Sequence, residues 1–189
     1  MATKIYIDQG HNPREYNTGA EGNGYYEQDI TYDIGKRLYS LLRTRPEFDV
    51  RLSRPTPDTM LGTSNSSSLS ERVRQANSWD ADIFVSLHVN SAENARASGN
   101  EVLTYGPGAR VANALAEDIL EQMTLTTGLR NRGIVYRPGL YVLKETEMPA
   151  VLVEMGFISN PYDAELLVGS PDLFATGIYR GILSYYGLL

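Results

Sequence analysis

With 189 residues, 42% hydrophobic and 21% charged, the sequence has the composition of one soluble folded domain, and at this length folding buries roughly 70 per cent of the surface an unfolded chain exposes. Seventeen basic against 23 acidic residues leave a formal charge of -6, which argues against a nucleic-acid partner and gives no electrostatic attraction to an anionic membrane or wall polymer. Zero cysteines exclude disulfides, thiolate nucleophiles and sulfur-ligated metals, so any metal must use His, Asp or Glu.

The chain enters a strand-like run, Lys4 to Asp8 (KIYID), almost at its start, without the charged, apolar and cleavage segments of a secretory signal. No apolar stretch reaches membrane-spanning length. Apolar residues at Ile30, Ile34, Leu38 and Leu41 then recur at spacings of three and four, which puts them on one helix face. A weaker strand follows at Phe48–Leu52. Pro55 to Ser68, rich in Pro, Ser, Thr and Gly, reads as a surface loop, and Ser68 with Glu71 has the spacing of a capping box for a short helix starting near Leu69. Asp82 to His88 (DIFVSLH) is a second core strand, and Glu101 to Tyr105 adds another. A helix carries Val111, Leu115, Ile119 and Met123 on one face; a third core strand spans Ala150 to Glu154 (AVLVE); a last helix presents Phe174, Ile178 and Ile182. Strands alternating with amphipathic helices, without internal repeat or composition shift, predict an α/β layered fold in one domain over residues 1–189.

The chain holds two histidines, and each falls at or just beyond the C-terminal end of a predicted core strand: His11 after KIYID-Gln9-Gly10, and His88 closing DIFVSLH. In α/β sheets this is where ligands and catalytic groups gather. Two imidazoles with one carboxylate, and a fourth position left to water, make a catalytic zinc arrangement; oxygen ligands alone would suit calcium or magnesium. Spacing does not choose the carboxylate among Glu15, Glu21, Glu27 and Asp29. Glu27, at a helix start, is equally a charge favoured there by the helix dipole. Glu154 ends the apolar run Met148 to Glu154 (MPAVLVE), where a charge without a partner is costly. A metal nearby accounts for it; a hydrogen-bonded structural carboxylate is the alternative.

Four segments together, Ile5 to His11 (IYIDQGH), Gly24 to Glu27 (GYYE), Leu69 to Ser91 (LSERVRQANSWDADIFVSLHVNS) and Met148 to Asn160 (MPAVLVEMGFISN), resemble the zinc-dependent N-acetylmuramoyl-L-alanine amidases. This is the family of sporulation, autolytic and phage lysis enzymes also called type 3 amidases, and order and spacing match over essentially the whole chain. The resemblance implies a twisted, mainly six-stranded sheet flanked by helices, one zinc ion bound by His11, Glu27 and His88, and Glu154 as catalytic acid/base. The implied substrate is the amide bond between N-acetylmuramic acid and L-alanine of peptidoglycan, reached outside the cell or through lysis. A zinc carboxypeptidase or deacetylase would use the same metal chemistry, and a wall-binding module without catalysis would keep the fold.

The family often has Pro where this chain has Gln9, and Gly where it has Asn12 and Pro13, departures expected to alter the rim beside His11. Asn90, two residues past His88 on an alternating strand, points to the same side. It is a candidate substrate contact, as is Arg132 before Gly133, which would pair with a stem-peptide carboxylate. Glu101, two residues after Gly99, resembles the family's Gly-x-Glu pattern, and Tyr105 and Tyr141 are candidates for the cleft. Some family members insert a helix after the strand matched by Glu101 to Tyr105 that blocks the zinc. Here only Gly106, Pro107 and Gly108 precede the next helix, which predicts an open site on a monomer that needs no activator protein.

Overall fold

The computed structural model describes residues 2–189, whose elements run β1 (Thr3–Gln9), β2 (Glu21–Gly22), β3 (Tyr25–Tyr26), α1 (Glu27–Leu42), β4 (Phe48–Leu52), α2 (Asn65–Ser78), β5 (Ile83–Asn90), β6 (Asn100–Thr104), α3 (Arg110–Thr127), β7 (Asn131–Tyr136), α4 (Tyr141–Lys144), β8 (Ala150–Phe157), α5 (Pro161–Gly169) and α6 (Pro171–Tyr185). Six strands pair in the order β4-β1-β5-β8-β6-β7, the sheet size the resemblance implied. β4, β1, β5 and β8 are parallel, β6 runs antiparallel to β8, and β7 is parallel to β6. β2 and β3 form a separate short hairpin.

The central strands read as continuous apolar runs because both sheet faces are covered. On one face Ile5, Ile7, Val85, Leu87, Val151 and Val153 pack with Ile34 and Leu38 of α1, Leu115 and Ile119 of α3, and Phe174, Ile178 and Ile182 of α6. On the other, Tyr6, Phe84 and Leu152 meet Val73 and Ala76 of α2 and Val142 and Leu143 of α4. Each fully buried side chain of this size contributes about 1.5–3 kcal/mol through loss of contact with water. Among the described residues no helix is long and apolar enough to cross a membrane.

Several boundaries and two helix faces differ from the sequence expectation: β5 runs past His88 to Asn90 and β8 past Glu154 to Phe157, so neither residue ends its strand. α2 starts at Asn65, so the end of the predicted loop is helical, and its capping box is Ser64 with Ser67 rather than Ser68 with Glu71. A run of serines offers several equivalent caps, and the earlier one adds another turn of backbone hydrogen bonds. In α1 the inward stripe ends on Leu42, fully buried, with Leu41 turned partly outward, and in α3 Ala112 is inside while Val111 is 52% exposed. A 3.6-residue turn accepts steps of three and of four alike, so spacing leaves Leu41 or Leu42 in α1 and Val111 or Ala112 in α3 open, and the packing of the folded helix chooses. β7, α4 and α5 had no sequence signal: β7 (NRGIVY) is a half-exposed edge strand, and the helices are too short to show a period.

Candidate metal centre and active site

The C-terminal ends of β1 and β5 and the N-terminus of α1 converge on one point. β1 leads through Gly10 into His11, whose backbone turns into the left-handed region at φ 68°, a conformation His adopts more readily than most residues. His11 Nε2 and His88 Nδ1 each lie 3.0 Å from Glu27 Oε1. One ligand atom from each of the three lies within 4.8 Å of the others. His11 Nδ1 sits 3.2 Å from the Asn17 carbonyl. Since a carbonyl only accepts, a cation on Nε2 would leave the ring proton on Nδ1, directed at Asn17.

Glu27 is 4% exposed and is held by backbone. Its Oε1 accepts from the Val89 N–H at 3.0 Å and its Oε2 from the Ala20 N–H at 2.8 Å. Burial alone would raise its carboxyl, but hydrogen bonds and charge from His11 and His88 prevail and hold it well below the ordinary range. Of the four carboxylates that spacing left open, Glu15, Glu21 and Asp29 are exposed, and Glu27 is the one in the cluster. Two imidazole nitrogens and a carboxylate oxygen are the donor set of catalytic zinc, so the residues present fit that ion.

A row of side chains crosses the sheet beside this cluster. Glu154 on β8 is in register with His88 on β5 and with Glu101 on β6. The residue keeps partial exposure, yet its Oε2 is enclosed and has no hydrogen-bond partner among the described residues. Burial first, then the negative charges of Glu27 and Glu101, push its carboxyl up to about 8. Glu101 accepts from Asn90 Nδ2 at 2.9 Å through Oε1 and from Arg132 Nε at 2.9 Å through Oε2. The Arg132 guanidinium also stacks 4.8 Å from the Phe157 ring centroid. Asn90 and Arg132, singled out as substrate contacts, are thus both engaged with Glu101.

Gln9 and Asn12 do not form the rim expected of them. Both are fully buried. The Gln9 amide bridges the Tyr32 carbonyl and the Arg54 N–H, while Asn12 pairs with both backbone groups of Leu61. A cavity of ≈ 120 Å³ opens beside the histidines, lined in part by Leu69, Leu140, Tyr141 and Leu152. Tyr141 reaches the cleft as expected; Tyr105 sits instead beside Pro107 and Pro138 in a separate shallow cavity.

Three contributors escaped sequence reasoning. A Cβ on Gly10 would lie 2.7 Å from the His88 ring, and one on Gly19 2.8 Å from Glu27 Oε2, so both positions must lack a side chain for the ligands to close in. Arg72 of α2 is buried against Asp8. Burial alone would raise Asp8, but Arg72 and a hydrogen bond from Ser86 outweigh it and hold that carboxyl below the usual range. The surplus of glycines hid the first two, and Arg72 meets its partner across 64 positions of sequence.

Residues 5–184 match the family described as N-acetylmuramoyl-L-alanine amidase. The chain is 38% identical over 186 residues to the N-acetylmuramoyl-L-alanine amidase LytC of Bacillus subtilis, covering 96% of this chain and 35% of that protein. It is 37% identical over 180 residues to the N-acetylmuramoyl-L-alanine amidase CwlM of Bacillus licheniformis, covering 94% and 65%. Its fold superposes on the catalytic domain of CwlV, an N-acetylmuramoyl-L-alanine amidase from Bacillus (Paenibacillus) polymyxa var. colistinus, with a TM-score of 0.86 and 31% identity over 99% of both chains.

Proposed function

The chain belongs to the N-acetylmuramoyl-L-alanine amidase family, and on that premise we propose that it hydrolyses the amide bond between N-acetylmuramic acid and L-alanine in peptidoglycan. One zinc ion is held by His11, Glu27 and His88, and Glu154 moves the proton. The observation that carries this reading is the enclosed, partnerless Glu154 Oε2 one strand away from three convergent ligand atoms. When bound, zinc supplies an activated water near neutral pH and a Lewis acid for the scissile carbonyl.

The remaining work falls to side chains of this chain. An amide nitrogen leaves only when protonated, and Glu154, one strand from His88 and with a carboxylate oxygen free of other partners among the described residues, would accept a proton from the attacking water and return it to the departing L-alanine nitrogen. Glu27, held ionised, offers its charge to the cation. Asn90 and Arg132 keep Glu101 beside Glu154, and their remaining donors are the contacts we assign to the stem peptide. Residues 1–189 act as one catalytic domain at the cell wall. β6 passes to α3 through a short Gly-Pro-Gly turn, and from this we infer an open cleft that works as a monomer without an activator.

The test is an end-group assay on purified peptidoglycan. The zinc-loaded protein should expose new N-terminal L-alanine, Glu154→Ala should lower the rate by roughly 100- to 10,000-fold, and chelation should stop it until zinc is restored. Release of a C-terminal residue instead would mark a carboxypeptidase. Activity surviving either Glu154→Ala or chelation would sink the mechanism.

A further inference from the structure

Arg72 is a buried cation, 1% exposed, that the chemistry above does not use. Its terminal nitrogens are directed at the segment joining β1 to the first ligand. Nη1 donates to the Asp8 carboxylate and to the Gln9 carbonyl at 2.7 Å; Nη2 donates to the His11 carbonyl at 2.7 Å and to Asn12 Oδ1 at 3.3 Å. Asp8 Oδ2 in turn accepts from Ser86 Oγ at 2.8 Å. Ser86 lies two residues before His88 on β5, and so on the same face of the sheet. One guanidinium thereby ties the exit of β1 to the strand that carries the second histidine.

The effect concentrates on His11. Its left-handed backbone, φ 68°, is a conformation that a residue with a side chain keeps only where its surroundings over-determine it. The surroundings do so twice: Arg72 fixes the main-chain carbonyl of His11 and the Asn17 carbonyl fixes its ring. A buried ion pair is weak support for stability in itself, and neutralising Asp8 would not require Arg72 to reach Gln9, His11 and Asn12 as well. We propose that Arg72 is a positioning residue that holds His11 in its ligand conformation and so sets the affinity of the centre for zinc. The proposal rests on the zinc reading above.

The test is zinc affinity, measured without substrate by competition with a chromophoric chelator, on wild type, Arg72→Lys, Ser86→Ala and Ile178→Val. Lysine keeps a charge opposite Asp8 but lacks the planar fork that spans several acceptors, and affinity should fall about 10- to 100-fold. Ser86→Ala loosens Asp8 alone and should weaken binding by about fivefold. Ile178→Val, in the core on the opposite face of the sheet, should lower the melting temperature and leave zinc affinity unchanged. Wild-type affinity in both Arg72→Lys and Ser86→Ala overturns the proposal, as does a loss in Ile178→Val equal to that in Arg72→Lys. If Arg72→Lys does not fold, Ser86→Ala decides. A wild type that binds no zinc overturns the metal reading itself and is distinguished on that ground.

Discussion

Glu27 and Glu154 are neighbouring carboxylates whose surroundings drive them apart. Two imidazoles keep the first ionised, while burial and two negative neighbours push the second up to about 8. In the proposed mechanism such a split separates the roles of metal ligand and proton carrier. It also carries a stability consequence. A carboxyl raised from 4.5 to about 8 on folding contributes stability that is fully present below pH 4.5 and is lost as pH rises through about 8. Metal-free Glu154→Gln should therefore melt above the metal-free wild type at pH 8.5, and the gap should close at pH 4.5; equal melting at pH 8.5 would contradict the burial argument. At this scale the histidines were legible, because there are two and both lie near the C-terminal ends of core strands, His11 two residues beyond β1 and His88 two residues before the end of β5. Glu27 became distinct from Glu15, Glu21 and Asp29 only once the loop before α1 had folded and its carboxylate met Ala20 and Val89. Nothing local marks a side chain whose partners lie on other elements, and Arg72 is the extreme case.

At the scale of elements, α2 is the piece on which the centre leans, since it carries Arg72 and its Ser68 hydroxyl accepts from Asn17 Nδ2 at 3.1 Å. Its start is secured by Ser64, whose hydroxyl accepts from the Ser67 N–H at 3.1 Å. Ser64→Ala should cost about 1 kcal/mol, read as a lower urea midpoint with unchanged slope. An unaltered midpoint would show that another serine takes over the cap. The strands that cross the middle of the sheet were legible because burial on both faces forces an unbroken apolar run, and α6 because its stripe at 174, 178 and 182 is wholly buried. β7 was not, because an edge strand is half exposed and hydrogen-bonds on one side only. The start of α2 was not, because six candidate caps, Thr63 to Ser68, stand in a row.

For the molecule as a whole, the layers divide the labour: α1, α3 and α6 cover one sheet face, and α2 and α4 cover the other, where the cleft lies. The three proposed ligands come from two strand ends and a helix start, so an ion held there would tie the first ninety residues together. Zinc at 100 times its dissociation constant should stabilise the fold by about 2.7 kcal/mol, a rise of roughly 5–10 °C in melting temperature for a chain of this size; a flat melting temperature on zinc titration would show that the centre does not bind it in the folded state. The in-register row His88, Glu154, Glu101 has one more implication. Its spacing is inherited from main-chain pairing rather than from side-chain packing, and a slip of one residue in any strand would turn that member to the far face. Cleft walls such as Leu69, Leu140 and Tyr141 sit on helices and loops outside that lattice. Natural variation or directed evolution can therefore retool those walls for a different polymer while the reacting groups stay at fixed intervals, as type stays set when the page around it is redrawn.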